Sequence, residues 1–266
     1  MLDLIQHFKE RAASYDKAEW VHDPGIMRVT LDFLGLAAGQ RILDVGAGTG
    51  AVLAAALAAC PSLGPCVAVD LSQEMLAQVR NPRILTCGGD AEALPMVDGF
   101  FDAVACRQSL HYVEDLDRCL REIRRVLAAT GILVVGQMTP FGEADEEWWK
   151  VIVKTRQPLR RRCLTLHELL VALMRTDFVV VRIVQIRATE SLHAWLERYQ
   201  RSAAQVEEVR RLHLEAPTAY KELHRFRHVE GDTLVDNCWT FVRARKSLPQ
   251  SKGAVCLPGG RAGGAG

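Results

Sequence analysis

The chain has 266 residues, of which 49% are hydrophobic and 24% charged, and its formal net charge is +1. This composition excludes a mostly disordered chain, and the balanced charge offers no general argument for binding nucleic acid or an anionic membrane. Eight cysteines without a Cys-x-x-Cys pair or zinc-site spacing are typical of free thiols in a reducing compartment, so no metal is predicted. The first residues lack signal-peptide features, so we expect a cytoplasmic protein without a membrane span.

Short apolar runs alternate with helical patterns from residue 41 onward. Five predicted strands cover residues 41–45, 66–71, 83–87, 101–106 and 132–136. Helices are predicted between them over 50–60, from Ser72 to about Val79, and from Leu116 to a stop at Gly131. Strands separated by helices in this way form βαβ units, which build a parallel sheet with helices on both faces. The sequence therefore predicts an α/β fold with a doubly wound, mostly parallel sheet.

The pattern changes after Met138, where longer helical stretches follow. Thr165 and Glu168 have the spacing of a capping box, at the start of a helix that runs to about Arg175. The other predicted elements are helices over 143–163, 190–213 and 216–227 and strands over 178–186 and 237–243. We predict a single domain over 1–246 and a disordered tail over 247–266. The domain would comprise a core over about 30–139, 164–187 and 229–246 and a helical lid over about 140–163 and 188–228.

The segment Leu43–Gly50 carries the strongest chemical signal. Its glycines, Gly46, Gly48 and Gly50, let the backbone turn tightly out of a strand and approach a ligand, and the next helix directs free N–H groups to the same place. Asp70 ends the second strand, where a carboxylate can accept hydrogen bonds from ribose hydroxyls. This pattern predicts a cofactor that contains a nucleoside.

The glycines alone leave two classes of cofactor open, because Gly46, Gly48 and Ala51 also satisfy the looser dinucleotide fingerprint. Asp44 favours S-adenosylmethionine over a nicotinamide dinucleotide, since a carboxylate at the end of the first strand attracts an ammonium or sulfonium group and repels a pyrophosphate. Asp90, after the third strand, can accept a hydrogen bond from an adenine amino group.

Several motifs follow one another in a characteristic order: the glycine segment, Asp70, the run Gly89–Pro95 and the run Leu116–Gly131. On these motifs, residues from about Tyr15 to Met138 resemble class I S-adenosylmethionine-dependent methyltransferases, especially the group that acts on ubiquinone and menaquinone precursors. The resemblance implies a Rossmann-like, seven-stranded sheet whose last strand is antiparallel, and S-adenosylmethionine as the cofactor.

The same resemblance implies which residues bind the cofactor. The implied residues are Tyr15, Asp44, Gly46, Ala47, Gly48, Gly50, Asp70, Leu71, Met75, Asp90, Ala91, Arg107 and Gln108. Among them Asp44, Arg107 and Gln108 would lie near the methionine part. Asp70 would lie at the ribose, and Leu71, Met75, Asp90 and Ala91 would lie around the adenine.

The predicted activity is methyl transfer to a small organic acceptor, with oxygen or carbon as the favoured acceptor atom. His111, just beyond the fourth strand, is the candidate general base because imidazole titrates near neutral pH, and a structural histidine is the alternative. Tyr15, Trp20 and Tyr112 are candidates for aromatic faces beside a cationic cofactor. A non-methylating enzyme of the same fold and a nicotinamide-dependent oxidoreductase are the alternative functions.

A basic run, Arg156 and Arg160 to Arg162, follows the predicted lid helix. Arginines of this kind can bind a carboxylate, a phosphate or a carrier-bound acceptor. We interpret the run as the solvated end of a helix, the simpler explanation of clustered charge. No basic stripe with interleaved aromatic residues occurs, so nucleic acid is not an expected partner.

Overall fold

Over residues 2–197 and 202–247, which the computed structural model describes, eight strands form one mixed sheet. The strands are β1 (Ile42–Val45), β2 (Cys66–Asp70), β3 (Ile84–Gly88), β4 (Phe101–Arg107), β5 (Leu127–Thr139), β6 (Phe178–Ser191), β7 (Arg227–Val229) and β8 (Asp232–Lys246). Seven of them lie in the order β3-β2-β1-β4-β5-β8-β6, and β7 pairs with β8. Strands β1 to β5 are parallel, whereas β8 is antiparallel to both β5 and β6. The predicted mostly parallel, Rossmann-like sheet with an antiparallel last strand is confirmed, with β7 as an additional short strand.

Helices cover both faces of this sheet. They are α1 (Leu2–Arg11), α2 (Glu19–His22), α3 (Pro24–Leu34), α4 (Ala51–Ala59), α5 (Gln73–Leu76), α6 (Leu116–Val126), α7 (Glu143–Arg156), α8 (Leu166–Arg175), α9 (Leu192–Glu197), α10 (Ala203–Leu214) and α11 (Thr218–Leu223), with 3₁₀ helices at Ala12–Lys17 and Leu110–Tyr112. One apolar cluster, which includes Phe33 and Leu53, packs α3 and α4 on one face, and another, which includes Leu120 and Leu173, packs α6 and α8 on the other. Each fully buried leucine stabilises the fold by roughly 1.5–3 kcal/mol, so both faces hold the doubly wound arrangement together.

The helix α6 ends earlier than predicted, and Gly131 lies in a strand. The chain leaves α6 at Val126 and enters β5 at Leu127, and the pairing of β5 with β4 changes register between Phe101 and Ala103. A Cβ atom on Gly131 would lie 2.9 Å from the Leu127 side chain and 3.0 Å from the carbonyl oxygen of Phe101. The predicted helix stop at Gly131 is therefore wrong, since this glycine permits close packing at an irregular point of strand pairing.

The region between β6 and β8 also differs from the prediction. Strand β6 continues to Ser191 because its last residues, from Ala188 onward, pair with Leu234–Asn237 of β8. The predicted helix 190–213 consequently begins at Leu192 and divides into α9 and α10, and the predicted helix 216–227 shortens to α11 and is followed by β7. Pairing partners about 45 residues apart do not appear in local hydrophobic periodicity, which is why helix was predicted there.

The predicted helix 143–163 ends at Arg156. Gln157 follows with ψ 82° and precedes Pro158, whose ring disfavours helical geometry at the residue before it. The irregular segment after the helix folds onto the loop that follows β4, where the Arg161 N–H donates to the carbonyl oxygen of His111 at 2.9 Å. The end of α7 is therefore packed against the carboxyl edge of the sheet.

Two further expectations concern the whole chain. In the part that the structure describes, no helix is both long and apolar enough to cross a membrane, and the seven cysteines there are free thiols. The predicted disordered tail, apart from Ser247, lies outside the described residues.

Candidate active site

Three adjoining cavities lie at the carboxyl edge of the parallel strands, where α/β sheets bind ligands. The main cavity, lined by Gly48, Asp70 and Asp90 among others, encloses about 900 Å³ including the part open to solvent. The second cavity, of about 300 Å³, is lined by Asp44 and Arg107 and is called the Asp44 cavity. The third, of about 430 Å³, is lined by His111 and Arg160 and is called the His111 cavity. Tyr15 lines all three cavities, so the two smaller ones lie next to the main cavity.

The glycine loop after β1 forms the floor of the main cavity. Gly46 and Gly48 have φ angles of +70° and +57°, which side chains disfavour, and Gly48 donates its N–H to Oδ2 of Asp70 at 2.8 Å. The other oxygen of Asp70 accepts from the N–H of Ser72 at 2.9 Å. Burial raises the pKa of Asp70, and these two hydrogen bonds oppose the rise. Asp70 thus ties the glycine loop to the end of β2 and also borders the cavity.

The Asp44 cavity holds two buried groups of opposite charge. Asp44 is 1% exposed, and its Oδ1 has no hydrogen-bond partner. Burial raises the pKa of Asp44 to about 7, against the lowering effect of Arg107 and with a smaller raising effect from Asp70. Arg107 donates through Nη2 to the carbonyl oxygen of Val21 at 3.0 Å, while its buried Nη1 has no partner. An anionic and a cationic group with unused hydrogen-bonding capacity suit a ligand that is a zwitterion.

The part of the main cavity beyond Asp70 combines an apolar wall with a carboxylate. Leu71 and the buried Met75 supply the apolar surface, and Ala91, in the loop after β3, also lines the cavity. Asp90 accepts from the N–H of Glu92 at 2.9 Å through Oδ1. Apolar surface next to a carboxylate suits a planar ring that carries an amino group.

His111 lies in the third cavity and is 2% exposed. Its Nδ1 is 3.0 Å from the amide nitrogen and 3.3 Å from the amide oxygen of Gln137, and the same amide nitrogen is 2.6 Å from Oε1 of Gln108. Burial lowers the pKa of His111 well below its ordinary value, and the charge of Arg160 lowers it further. The expectation that His111 titrates near neutral pH is therefore wrong, and at pH 7 its ring is neutral.

The structure brings most of the predicted cofactor residues to the two cavities that the glycine loop borders. Those lining the main cavity are Tyr15, Gly46, Gly48, Asp70, Leu71, Met75, Asp90, Ala91 and Gln108. Asp44, Ala47 and Arg107 line the Asp44 cavity. Gly50 is buried against Val79 and lines none of the three, so its positive φ of +78° serves the start of α4.

The basic run does not form the solvated helix end that we expected. Arg156 and Arg160 are buried and line the His111 cavity, whereas Arg161 is exposed and lies at the main cavity. The reason is the break after α7, which turns this segment inward against the loop containing His111.

Other residues of the site were missed from the sequence. Ser109 donates to the carbonyl oxygen of Val45 at 3.1 Å and packs on Gly46, where a Cβ atom would lie 2.4 Å from the Ser109 Cβ. Phe8 of α1 packs edge-on against Tyr112, with 5.2 Å between ring centroids, and lines two cavities. Neither residue belongs to a local motif, because each reaches the site through tertiary packing.

Comparisons with known proteins agree with this geometry. Residues 43–135 match the family model described as a methyltransferase domain. The demethylmenaquinone methyltransferase of Mycolicibacterium paratuberculosis is 39% identical over 137 residues, which cover 50% of this chain and 58% of that protein. The ubiquinone/menaquinone biosynthesis C-methyltransferase UbiE of Hahella chejuensis is 35% identical over 140 residues, which cover 48% and 56%. The crystal structure of YcgJ from Bacillus subtilis aligns with a TM-score of 0.76 at 20% identity and covers 85% of this chain and 99% of that one.

The matched segment is a methyltransferase domain, and over it the chain is similar to class I S-adenosylmethionine-dependent methyltransferases, whose fold it shares. The curated relatives above belong to the UbiE-like group, and this chain spans little more than half of their length. The cofactor of this family is S-adenosylmethionine. The unpartnered charges of Asp44 and Arg107 fit its amino-acid part, and the main cavity fits its adenosine part.

Proposed function

We propose that this chain transfers a methyl group from S-adenosylmethionine to a small organic acceptor, at an oxygen or carbon atom. The observation that carries the proposal is the pair of buried, oppositely charged side chains Asp44 and Arg107, each with an unpartnered atom. The ammonium of the cofactor would pair with Asp44 and its carboxylate with Arg107. Binding would thus satisfy two buried groups whose isolation is costly.

The other binding roles follow from position along the main cavity. Asp70 would accept hydrogen bonds from the ribose hydroxyls, and Leu71 and Met75 would pack on the adenine. Asp90 and Ala91 would contact the edge of the adenine, and Gln108 would lie at the methionine side. The backbone of Gly46, Ala47, Gly48 and Gly50 would form the turn that admits the cofactor.

The reaction requires an acceptor atom in line with the methyl group. When bound, the cofactor supplies a methyl group that is activated by the positive charge on sulfur. Tyr15, whose ring lies 5.8 Å from that of Trp20, borders all three cavities and would hold the methyl end between them. Orientation of this kind can contribute about 7–11 kcal/mol at most.

His111 is the group that we propose as base. In the tautomer whose Nδ1–H donates to Oε1 of Gln137, Nε2 is the atom that accepts the proton of the acceptor. The neutral ring at pH 7 leaves this atom able to take a proton, and Tyr112, with its ring centroid 4.1 Å away, would hold the imidazole in position.

We further propose that residues 1–246 act as one methyltransferase domain in the cytoplasm. The irregular segment after α7 and the helix α9 border the His111 cavity, which supports a role for the helical lid in acceptor binding. A small molecule, not nucleic acid, is the proposed acceptor, because the net charge is only +1 and the His111 cavity is small.

The experiment has two readouts. Calorimetry with S-adenosylhomocysteine measures cofactor binding, and incubation with methyl-labelled S-adenosylmethionine and a metabolite extract measures transfer. We expect binding together with a labelled small-molecule product. Binding without formation of S-adenosylhomocysteine from S-adenosylmethionine would instead indicate the non-methylating alternative.

A further inference from the structure

We propose that the acceptor is a small carboxylic acid and that Arg160 binds its carboxylate in the His111 cavity. This inference rests on the proposed function, since it concerns the substrate of the same site. It starts from an unexplained feature: a buried arginine in a cavity, with hydrogen-bond donors that nothing in the described chain uses.

Arg160 is 5% exposed, and both its Nε and its Nη1 are buried without a hydrogen-bond partner. Its backbone is held firmly: the N–H donates to the carbonyl oxygen of Gln157 at 3.1 Å, and Lys154 donates to its carbonyl oxygen. The backbone of Arg160 is therefore fixed beside the cavity that its side chain lines. A buried charge without a partner is costly, which points to a partner that arrives with a ligand.

The charged side chains that line the cavity indicate that this ligand is an anion. The cavity is lined by Arg11, Arg156 and Arg160, and no aspartate or glutamate is among its described lining residues. Arg156 already stacks on Trp195, with its guanidinium carbon 3.7 Å from the ring centroid, and donates to that residue's carbonyl oxygen at 3.2 Å. Arg160 has two buried donors, Nε and Nη1, without a hydrogen-bond partner in the described part of the chain, and we assign the anion to it.

The apolar residues that line the cavity indicate what the rest of the acceptor, apart from its carboxylate, is like. Trp20, Tyr112 and Met138 also line it and give it apolar surface, which suits a flat or aromatic body. Because Gln108 and Tyr112 also line the main cavity, a body held by Arg160 would extend towards the methyl end of the cofactor. The planar guanidinium fork matches a carboxylate in two parallel hydrogen bonds.

The test measures acid recognition separately from cofactor binding. Calorimetry first compares S-adenosylhomocysteine binding to the unmodified protein, Arg160→Met, Arg160→Lys and a control, Arg175→Met, whose arginine is a surface partner of Asp117. We expect similar affinities, since Arg160 lies outside the main cavity. If the unmodified protein does not bind S-adenosylhomocysteine, the proposed function itself is refuted, regardless of the results for the Arg160 variants.

The second step titrates benzoate, benzamide and phenyl phosphate into each saturated complex. We expect benzoate to bind at least about tenfold more tightly than benzamide to the unmodified protein and to Arg175→Met. Arg160→Met should abolish this preference, and Arg160→Lys should restore part of it. A preference that persists in Arg160→Met, or no benzoate binding to the unmodified protein at about 10 mM, would overturn the inference. Tighter binding of phenyl phosphate than of benzoate would overturn the carboxylate assignment in favour of a phosphate ester.

Discussion

The ionisation of Asp44 makes a quantitative prediction about cofactor affinity. In the free protein burial raises the pKa of Asp44 to about 7, whereas the cofactor's ammonium would stabilise the ionised carboxylate. Binding therefore requires loss of a proton at acidic pH. The ionised fraction rises from roughly one in eleven at pH 6 to about three in four at pH 7.5, so the dissociation constant should fall roughly eightfold.

Calorimetric titration with S-adenosylhomocysteine across this pH range measures the effect, and Asp44→Asn isolates it. The variant should bind more weakly at pH 7.5, and its affinity should vary little between pH 6 and pH 7.5. An unmodified protein whose affinity is independent of pH, or an Asn variant that keeps the eightfold change, would refute the reasoning.

The same carboxylate affects the stability of the free protein. Because its folded pKa lies above the unfolded value of 3.8, the stabilising contribution of Asp44 is complete below that value and is lost as pH rises through about 7. The difference corresponds to about 4 kcal/mol at most. Between pH 5 and pH 8, the melting temperature of the free Asp44→Asn protein should therefore fall less than that of the unmodified protein.

Three other substitutions address the remaining parts of the site. Asp70→Asn should weaken S-adenosylhomocysteine binding by about 1.5–3 kcal/mol through loss of charged hydrogen bonds, measured by calorimetry. His111→Gln should lower turnover with little change in cofactor affinity, and the unmodified enzyme should show no loss of turnover near pH 6.5 due to His111, because the pKa of this group is far lower. Gly46→Ala should lower the free energy of unfolding by about 1–3 kcal/mol, through the contact with Ser109 and the positive φ.

Each of these three substitutions has a result that would contradict its prediction. Cofactor affinity unchanged in Asp70→Asn would remove Asp70 from the ribose site. Full turnover of His111→Gln would leave His111 a structural residue that positions Gln137. In Gly46→Ala, adding Ser109→Gly should recover part of the stability, because it relieves the steric contact but not the backbone strain. Full recovery would mean that the φ angle carries no cost.

The parts of the fold that depend on short-range patterns were predictable from the sequence. The apolar runs of β1, β2 and β4 fixed where the parallel strands lie, and the capping box at Thr165 and Glu168 marks the start of α8, where both of its hydrogen bonds form. The glycines after β1 and Asp70 at the end of β2 occupy adjacent strand ends, so a parallel sheet must bring them together. For these residues, local sequence and topology were sufficient.

Long-range packing decided the rest. The extension of β6 to Ser191 depends on pairing with β8, and the end of α7 depends on Pro158 and on contacts with the loop at His111. From the sequence alone we expected Arg160 to lie in solvent and the pKa of His111 to be near its ordinary value. Both side chains are buried instead, because desolvation depends on which distant segments cover a side chain. Motifs thus specify which residues can do chemistry, whereas the folded chain sets their charge, their partners and their access to a ligand.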